Sequence, residues 1–237
     1  MLKIALVGQK GGVRKSTLSW LLVNAALALS ENTTILLIET DPQKSSATFH
    51  RRVINKHPGL AERFTCITCL DEHALFAALE QVESAHLDYI IIDTAGRHED
   101  LTRFALTAAD RVIIPFRPSV KEYESQLATV ALYKQVRHAL EVSGTNAPKA
   151  VLLLNDWSQT ARLTTRQKAI LNTIYEEEML ASFYVPTRNG FDTLDQGTIF
   201  IHELQDQNTL TNPFVKKALE ADLQIAATTL KSIEAMQ

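Results

Sequence analysis

Along this chain short apolar runs alternate with longer segments whose apolar residues recur every three or four positions. The runs that read as strands are Lys3–Val7, Thr34–Thr40, Thr65–Cys69, Tyr89–Asp93, Arg111–Phe116, Ala150–Leu154 and Ser182–Val185. Most are continuously apolar rather than alternating, as a parallel sheet covered on both faces requires. The intervening segments carry helical periodicity. Leu18, Leu22, Ala25 and Leu29 mark the buried face of a first helix; Leu127, Val130, Ala131 and residues 134–142 continue a long helix after the fifth strand. Thr160–Glu178 predicts another. The last helix is announced by Asn212 as N-cap and Pro213 at its first position, and it is expected to bury Val215, Leu219, Leu223, Ala226, Leu230 and Ile233. Repeated strand–helix units predict a doubly wound α/β fold: a mostly parallel sheet of about seven strands with helices on both faces. With no internal repeat, low-complexity stretch or linker, residues 1–237 are expected to form a single domain.

Composition narrows the classes. The chain has 237 residues, 46% of them hydrophobic, enough for one sizeable core. Its net charge of −3 lacks the basic excess of a dedicated nucleic-acid binder, so any DNA contact must come from a local patch. The first strand begins near residue 3, leaving no room for a signal peptide, and no apolar run approaches the ~18 residues of a membrane span; the expectation is cytoplasmic. The two cysteines, Cys66 and Cys69, form a lone C-x-x-C without the second pair that a zinc site needs. Residues three apart on a strand point to opposite faces, so both are expected to be structural thiols.

The chemistry begins at residues 8–17, Gly-Gln-Lys-Gly-Gly-Val-Arg-Lys-Ser-Thr, between the first strand and the first helix. The phosphate-binding pattern G-x-x-x-x-G-K-[ST] cradles phosphates on backbone N–H groups, reaches them with its lysine and binds magnesium through its hydroxyl. Gly8, Lys15 and Ser16 fit it, while Arg14 stands where the second glycine belongs. A non-glycine residue there can lose the freedom to adopt positive φ and to let a ligand approach. Two readings follow: a tolerated variant whose side chain points outward and adds positive charge, or a loop with weakened nucleotide affinity. Lys10, just before Gly11 and Gly12, is an additional lysine that an ordinary P-loop does not require. Lys-Gly-Gly-x-x-Lys-[ST] resembles the deviant Walker A loop of the ParA/MinD ATPases, a P-loop NTPase type.

Other strand ends extend that resemblance. Leu36-Leu37-Ile38-Glu39-Thr40-Asp41-Pro42-Gln43 looks like the family's D-x-D-P-Q switch I, with Glu39 replacing the first aspartate and retaining its charge. By carry-over, Asp41 orients the attacking water. Tyr89–Asp93 followed by Thr94, Ala95 and Gly96 has the Walker B and switch II arrangement, in which Asp93 holds magnesium beside Ser16. Later segments match more loosely. Arg117 follows the fifth strand where glutamine is usual; Asn155 ends the sixth where relatives contact the base; Pro186, Arg188 and Gly197 echo the loop near adenine. For Asn155 and Pro186 a turn role is an equal alternative.

Membership of that family implies a magnesium-dependent ATPase that dimerises around two nucleotides, with ATP and Mg²⁺ as cofactors. The resemblance makes Gly11, Gly12, Val13, Arg14, Lys15, Ser16, Thr17, Asn155, Pro186 and Arg188 the nucleotide contacts. It makes Lys10, Lys15 and Asp41 the catalytic residues, Lys10 reaching across the dimer, and Ser16, Asp41 and Asp93 the metal-side residues. The absence of an amino-terminal helix-turn-helix makes the chain resemble small ParA partition proteins. These work with a centromere-binding ParB-like partner and bind DNA nonspecifically, on the nucleoid, when ATP-bound. Candidate DNA contacts are Arg162, Arg166 and Lys168 on one helix, Arg162 and Arg166 sharing a face, with Lys216 and Lys217 at the start of the last; Glu176, Glu177 and Glu178 make a solvated mixed-charge face an equal reading. The competing classes are a positioning ATPase for another cargo (division site, carboxysome or secretion) and a nucleotide-deficient scaffold. The last helix, with balanced charge, argues against membrane association.

Overall fold

The computed structural model describes residues 1–8, 12–83, 85–96, 99–117, 120–158, 162–175, 179–207 and 211–236. Strands β1 (Leu2–Leu6), β2 (Ile35–Glu39), β3 (Phe64–Thr68), β4 (Tyr89–Asp93), β5 (Arg111–Phe116), β6 (Lys149–Trp157) and β7 (Leu180–Pro186) form one seven-stranded sheet in the order β3-β2-β4-β1-β5-β6-β7. Every pairing is parallel. The fold is therefore the doubly wound α/β type that the apolar runs predict.

The pleat sorts the two cores. Ile4, Leu6, Ile35, Leu37, Ile91, Ile113 and Leu153 point to one face, under helices α1 (Lys15–Leu27), α2 (Ser45–Lys56) and α8 (Pro213–Glu234) and the 3₁₀ segment Asn189–Gln196. Their neighbours Ala5, Val7, Leu36, Ile38, Ile90, Ile92, Val112 and Ile114 point to the other. That face is covered by α3 (Glu72–Val82), α4 (Glu99–Ala108), α5 (Val120–Val142) and α6 (Thr165–Tyr175). A short α7 (Phe200–Glu203) precedes α8. Cys66 packs into the first core and Cys69 into the second, with burial pushing the Cys66 thiol up to about 12. The opposite-face argument for the lone C-x-x-C holds.

Several local expectations are corrected. Leu29 lies beyond the end of α1 and is exposed, and Val215 is exposed because the first turn of α8 stands clear of the core; burial there starts at Leu219. Asn212 does cap α8, its Oδ1 accepting from the N–H groups of Phe214 and Val215. The helix expected over Thr160–Glu178 begins only at Thr165. Thr164 and Gln167 form a reciprocal capping box there, Thr164 Oγ1 accepting from Gln167 N–H and Gln167 Oε1 from Thr164 N–H. Arg162 is thus off the helix, and Glu176, Glu177 and Glu178 lie outside the described residues.

Register positions the site. Leu6 on β1 and Glu39 on β2 both pair with Asp93 on β4, so these strands end at one level beside the loop that follows β1. In such sheets ligands bind outside the carboxyl ends of the strands, near the reversal of strand order.

Candidate functional site

At that edge a cleft of about 520 Å³ is lined by Gly12, Arg14, Lys15, Ser16, Thr17, Asp41, Pro42, Gln43, Thr94, Ala95 and Gly96. Its floor is the start of α1, whose unpaired N–H groups and dipole favour anions. Lys15 is the first helical residue and is nearly buried, its Nζ donating to the Gly8 carbonyl at 3.2 Å. Burial lowers its pKa, and the nearby Asp93 and Asp41 carboxylates oppose that shift. Gly8 has no room for a side chain without crowding the buried amide of Gln126 on α5, whose Oε1 would lie 3.2 Å from an added Cβ.

Asp93 is the centre of the β2–β4 flank. It is fully buried; burial raises its pKa, while hydrogen bonds from Ser46 and Ser16 and the charge of Lys15 pull the other way. Its Oδ2 accepts from Ser46 Oγ at 2.8 Å, and its Oδ1 is buried with no hydrogen-bond partner among the described residues. Such an orphaned anionic oxygen beside a serine hydroxyl suits a hard cation with oxygen ligands, so Asp93 and Ser16 fit the magnesium expected there. Among the described residues no cluster of three or more His, Cys, Asp or Glu could hold a metal ion.

Glu39 does something different from what its alignment with an aspartate suggests. Its Oε2 accepts from the N–H groups of Ser46 at 2.6 Å and Ala47 at 3.1 Å, tying the first turn of α2 to the end of β2. Burial, with Asp93 adding to it, raises its pKa to about 7, so it is not the constant charge that the substitution suggests. Asp41 lines the cleft with its Oδ1 accepting from Gln43 N–H at 2.9 Å, an Asx turn that shapes the loop. Thr94 Oγ1 donates to the Leu6 carbonyl, and Ala95 N–H to Thr40 Oγ1, stitching the loop after β4 to its neighbours. Lys10 and Gly11 lie outside the described residues.

The model of the VirC1 protein family matches residues 1–236. The chain belongs to that family. No curated protein matches it by sequence. Among solved structures, apo McdA of Cyanothece superposes with a TM-score of 0.64 at 17% identity, covering 95% of this chain and 99% of that one. A putative plasmid partition protein from Borrelia burgdorferi bound to AMPPNP gives 0.60 at 20%, covering 96% and 99%. The MinD cell division protein of Aquifex aeolicus gives 0.60 at 17%, covering 98% of each. This VirC1-family chain therefore has the ParA/MinD fold of the P-loop NTPases.

The β6–β7 flank shows how Arg14 is accommodated. Its backbone is left-handed, φ 57° and ψ 39°, at a strain of roughly 1–2 kcal/mol for a residue with a Cβ. The side chain turns to that flank: Nε lies 3.3 Å from Asp156 and Nη1 2.8 Å from Asp192. Arg117 grips the same oxygen of Asp156, itself left-handed at φ 55°. β6 runs three residues past the end expected at Leu154, and its register with β7 shifts between Leu154 and Trp157. Asn155 is buried, and its amide N–H donates to the Val13 carbonyl at 2.8 Å, bracing the turn that enters α1. Arg188 Nε donates to Asp222 Oδ1 on α8 at 2.6 Å, and Arg188 is not among the residues that line the cleft. Pro186 lies outside that cleft as well, lining with Arg14, Asn155 and Phe191 a separate void of only about 10 Å³. Gly197 is left-handed at φ 80°, packed against the α2 backbone at Arg52.

The basic candidates do not converge. Arg166 and Lys168 are exposed on α6, while Lys216 and Lys217 lie on α8 across the sheet, Lys216 3.9 Å from Glu220. Ser46 and Trp20 are the site residues that sequence reasoning missed; a serine one turn past switch I, in a helix start, carried only a weak signal. Among the described residues no helix is long and apolar enough to cross a membrane.

Proposed function

We propose that this chain is a Mg·ATP-dependent ATPase switch of the ParA type, acting in DNA segregation as a nucleotide-dependent homodimer with a centromere-binding ParB-like partner. The observation that carries the reading is that Lys15, Ser16 and Asp41 line one cleft at the carboxyl ends of β1, β2 and β4, with Asp93 buried at the end of β4 immediately before the lining residues Thr94–Gly96. Lys15 and the amino terminus of α1 neutralise the phosphates, and Ser16 and Asp93 hold the metal side. When bound, Mg²⁺ offsets charge on the phosphate oxygens. In this reading Asp41, which lines the cleft, orients the attacking water, and the loop at Thr94–Gly96 senses whether the terminal phosphate is present. Lys10 reaches the partner's nucleotide in this reading. The resemblance to partition proteins favours nonspecific DNA, on the nucleoid, as the surface engaged in the ATP state. Likeness to McdA and MinD supports positioning of another cargo as the second reading.

Calorimetry with Mg·ATP tests it. Wild type is expected to bind, and Lys15→Ala to lose about 10- to 100-fold in affinity, the worth of a hydrogen bond to a charged group. Wild type that does not bind overturns the ATPase reading. DNA binding with and without ATP then separates segregation from positioning of other cargo.

A further inference from the structure

A buried chain of hydrogen bonds runs from Trp20 on α1 through Ser46 on α2 to Asp93 on β4. Trp20 Nε1–H donates to Ser46 Oγ at 2.8 Å, and Ser46 Oγ–H donates to Asp93 Oδ2 at 2.8 Å. The direction is fixed by chemistry. An indole N–H can only donate, so Ser46 Oγ must accept from it, and the single hydroxyl proton is left for the carboxylate. Ser46 and Asp93 are fully buried, and the indole, almost so, is clamped by stacking on Phe49 with ring centroids 5.2 Å apart and planes 17° apart. The Ser46 N–H is held by Glu39 Oε2. Ser46 is thereby fixed from three sides, and the oxygen of Asp93 that it does not hold is the buried, unpartnered Oδ1.

We propose that Ser46 is a positioning residue for the metal-side carboxylate, and that the Trp20–Ser46–Asp93 chain carries the state of that carboxylate to the indole of Trp20. The proposal rests on the Mg·ATP reading above. By fixing Oδ2, Ser46 sets the rotation of the carboxyl group and hence the direction of Oδ1. Groups that orient a metal-side ligand in this way typically change metal affinity or activity about 10- to 100-fold when removed. Because Ser46 lies in the first turn of α2, the same contact ties Asp93 to the helix that follows the Asp41 loop. Charge drawn from Asp93 by a cation weakens its hold on the Ser46 proton, and the polarity felt by the indole N–H changes with it.

The chain has two tryptophans, so Trp157→Phe leaves Trp20 as the sole tryptophan, excited selectively at the red edge where its five tyrosines do not absorb. In that background Mg·ATP binding is followed by calorimetry and by Trp20 emission in the same samples. The expected result is an emission shift on binding that persists in Ser46→Thr and vanishes in Ser46→Ala. Ser46→Ala is also expected to lower kcat about 10-fold or more and to raise the magnesium concentration needed for half-maximal rate, with KM for ATP unchanged. Binding without an emission change, or with the same change in Ser46→Ala, overturns the proposal and leaves the ATPase reading standing. No binding at all overturns both. Should Ser46→Ala fail to fold, Trp20→Phe removes the N–H donor while leaving an aromatic ring to pack against Phe49. A lowered kcat at unchanged KM for ATP then supports the proposal, and wild-type kinetics overturn it.

Discussion

The two flanks of the cleft are built on different physics. On the β2–β4 side, Glu39 and Asp93 are carboxylates taken fully out of water on paired strands, each with one oxygen satisfied and one not. On the β6–β7 side, Arg14, Arg117, Asp156 and Asp192 form ion pairs that solvent still reaches. A buried charge is costly to leave uncompensated and responds strongly to a counter-charge; a partly exposed ion pair is worth about 0–1 kcal/mol. The contrast teaches where this chain can tolerate change and where it cannot. Arg14 departs from the glycine of the P-loop pattern on the tolerant side.

The comparison is broken most directly at Asp93. Asp93→Asn is expected to reduce the steady-state ATPase rate about 100-fold or more, because the buried negative charge is what the metal side offers. The same variant is expected to melt no lower than wild type in the absence of nucleotide, since it removes a desolvated carboxylate and keeps an acceptor for Ser46. Scanning calorimetry without nucleotide checks this; a lower melting temperature would show that the charge stabilises the empty fold.

Glu39 sharpens the contrast through pH. Its pKa is raised from its ordinary 4.5 to about 7 by burial and by Asp93, so the folded state holds this proton more tightly than the unfolded one. A raised group contributes stability that is fully present below its ordinary value and is lost as pH rises through the folded one. Stability of the nucleotide-free protein is therefore expected to decline between about pH 4.5 and pH 7, and Glu39→Gln to flatten that decline in urea titrations across the window. The smallest effect is expected at Arg14→Gly. Relief of the left-handed strain and loss of two partly exposed ion pairs are of similar size, so stability should stay within about 1 kcal/mol and Mg·ATP affinity within about threefold. A larger fall in affinity by calorimetry would make the Arg14 side chain part of the ligand site.

The sheet was legible because a parallel strand buried on both faces must be continuously apolar, and each strand run in the sequence has its counterpart. The position of Asp93 was legible because it ends an apolar strand, and that of Lys15 because it closes a glycine-rich loop and opens a helix. What stayed hidden depends on the third dimension. Asn155 and Arg188 follow the anticipated strand ends, and a donor of each is taken by Val13 and Asp222; nothing local in sequence predicts a partner 142 or 34 residues away. The face shared by Arg162 and Arg166 vanished for a local reason, the capping box at Thr164. Glu39 was read by its charge, whereas its burial decides its role.

The brace from Asn155 to the Val13 carbonyl, together with Lys15 on the Gly8 carbonyl, has a kinetic consequence. The turn entering α1 is held before any nucleotide arrives, so its ordering entropy belongs to folding and is not charged to association. In the proposed function, phosphate capture then needs no slow rearrangement of that turn at Val13–Lys15. On the same reading, the loops after β2 and β4 are left to register which nucleotide is bound.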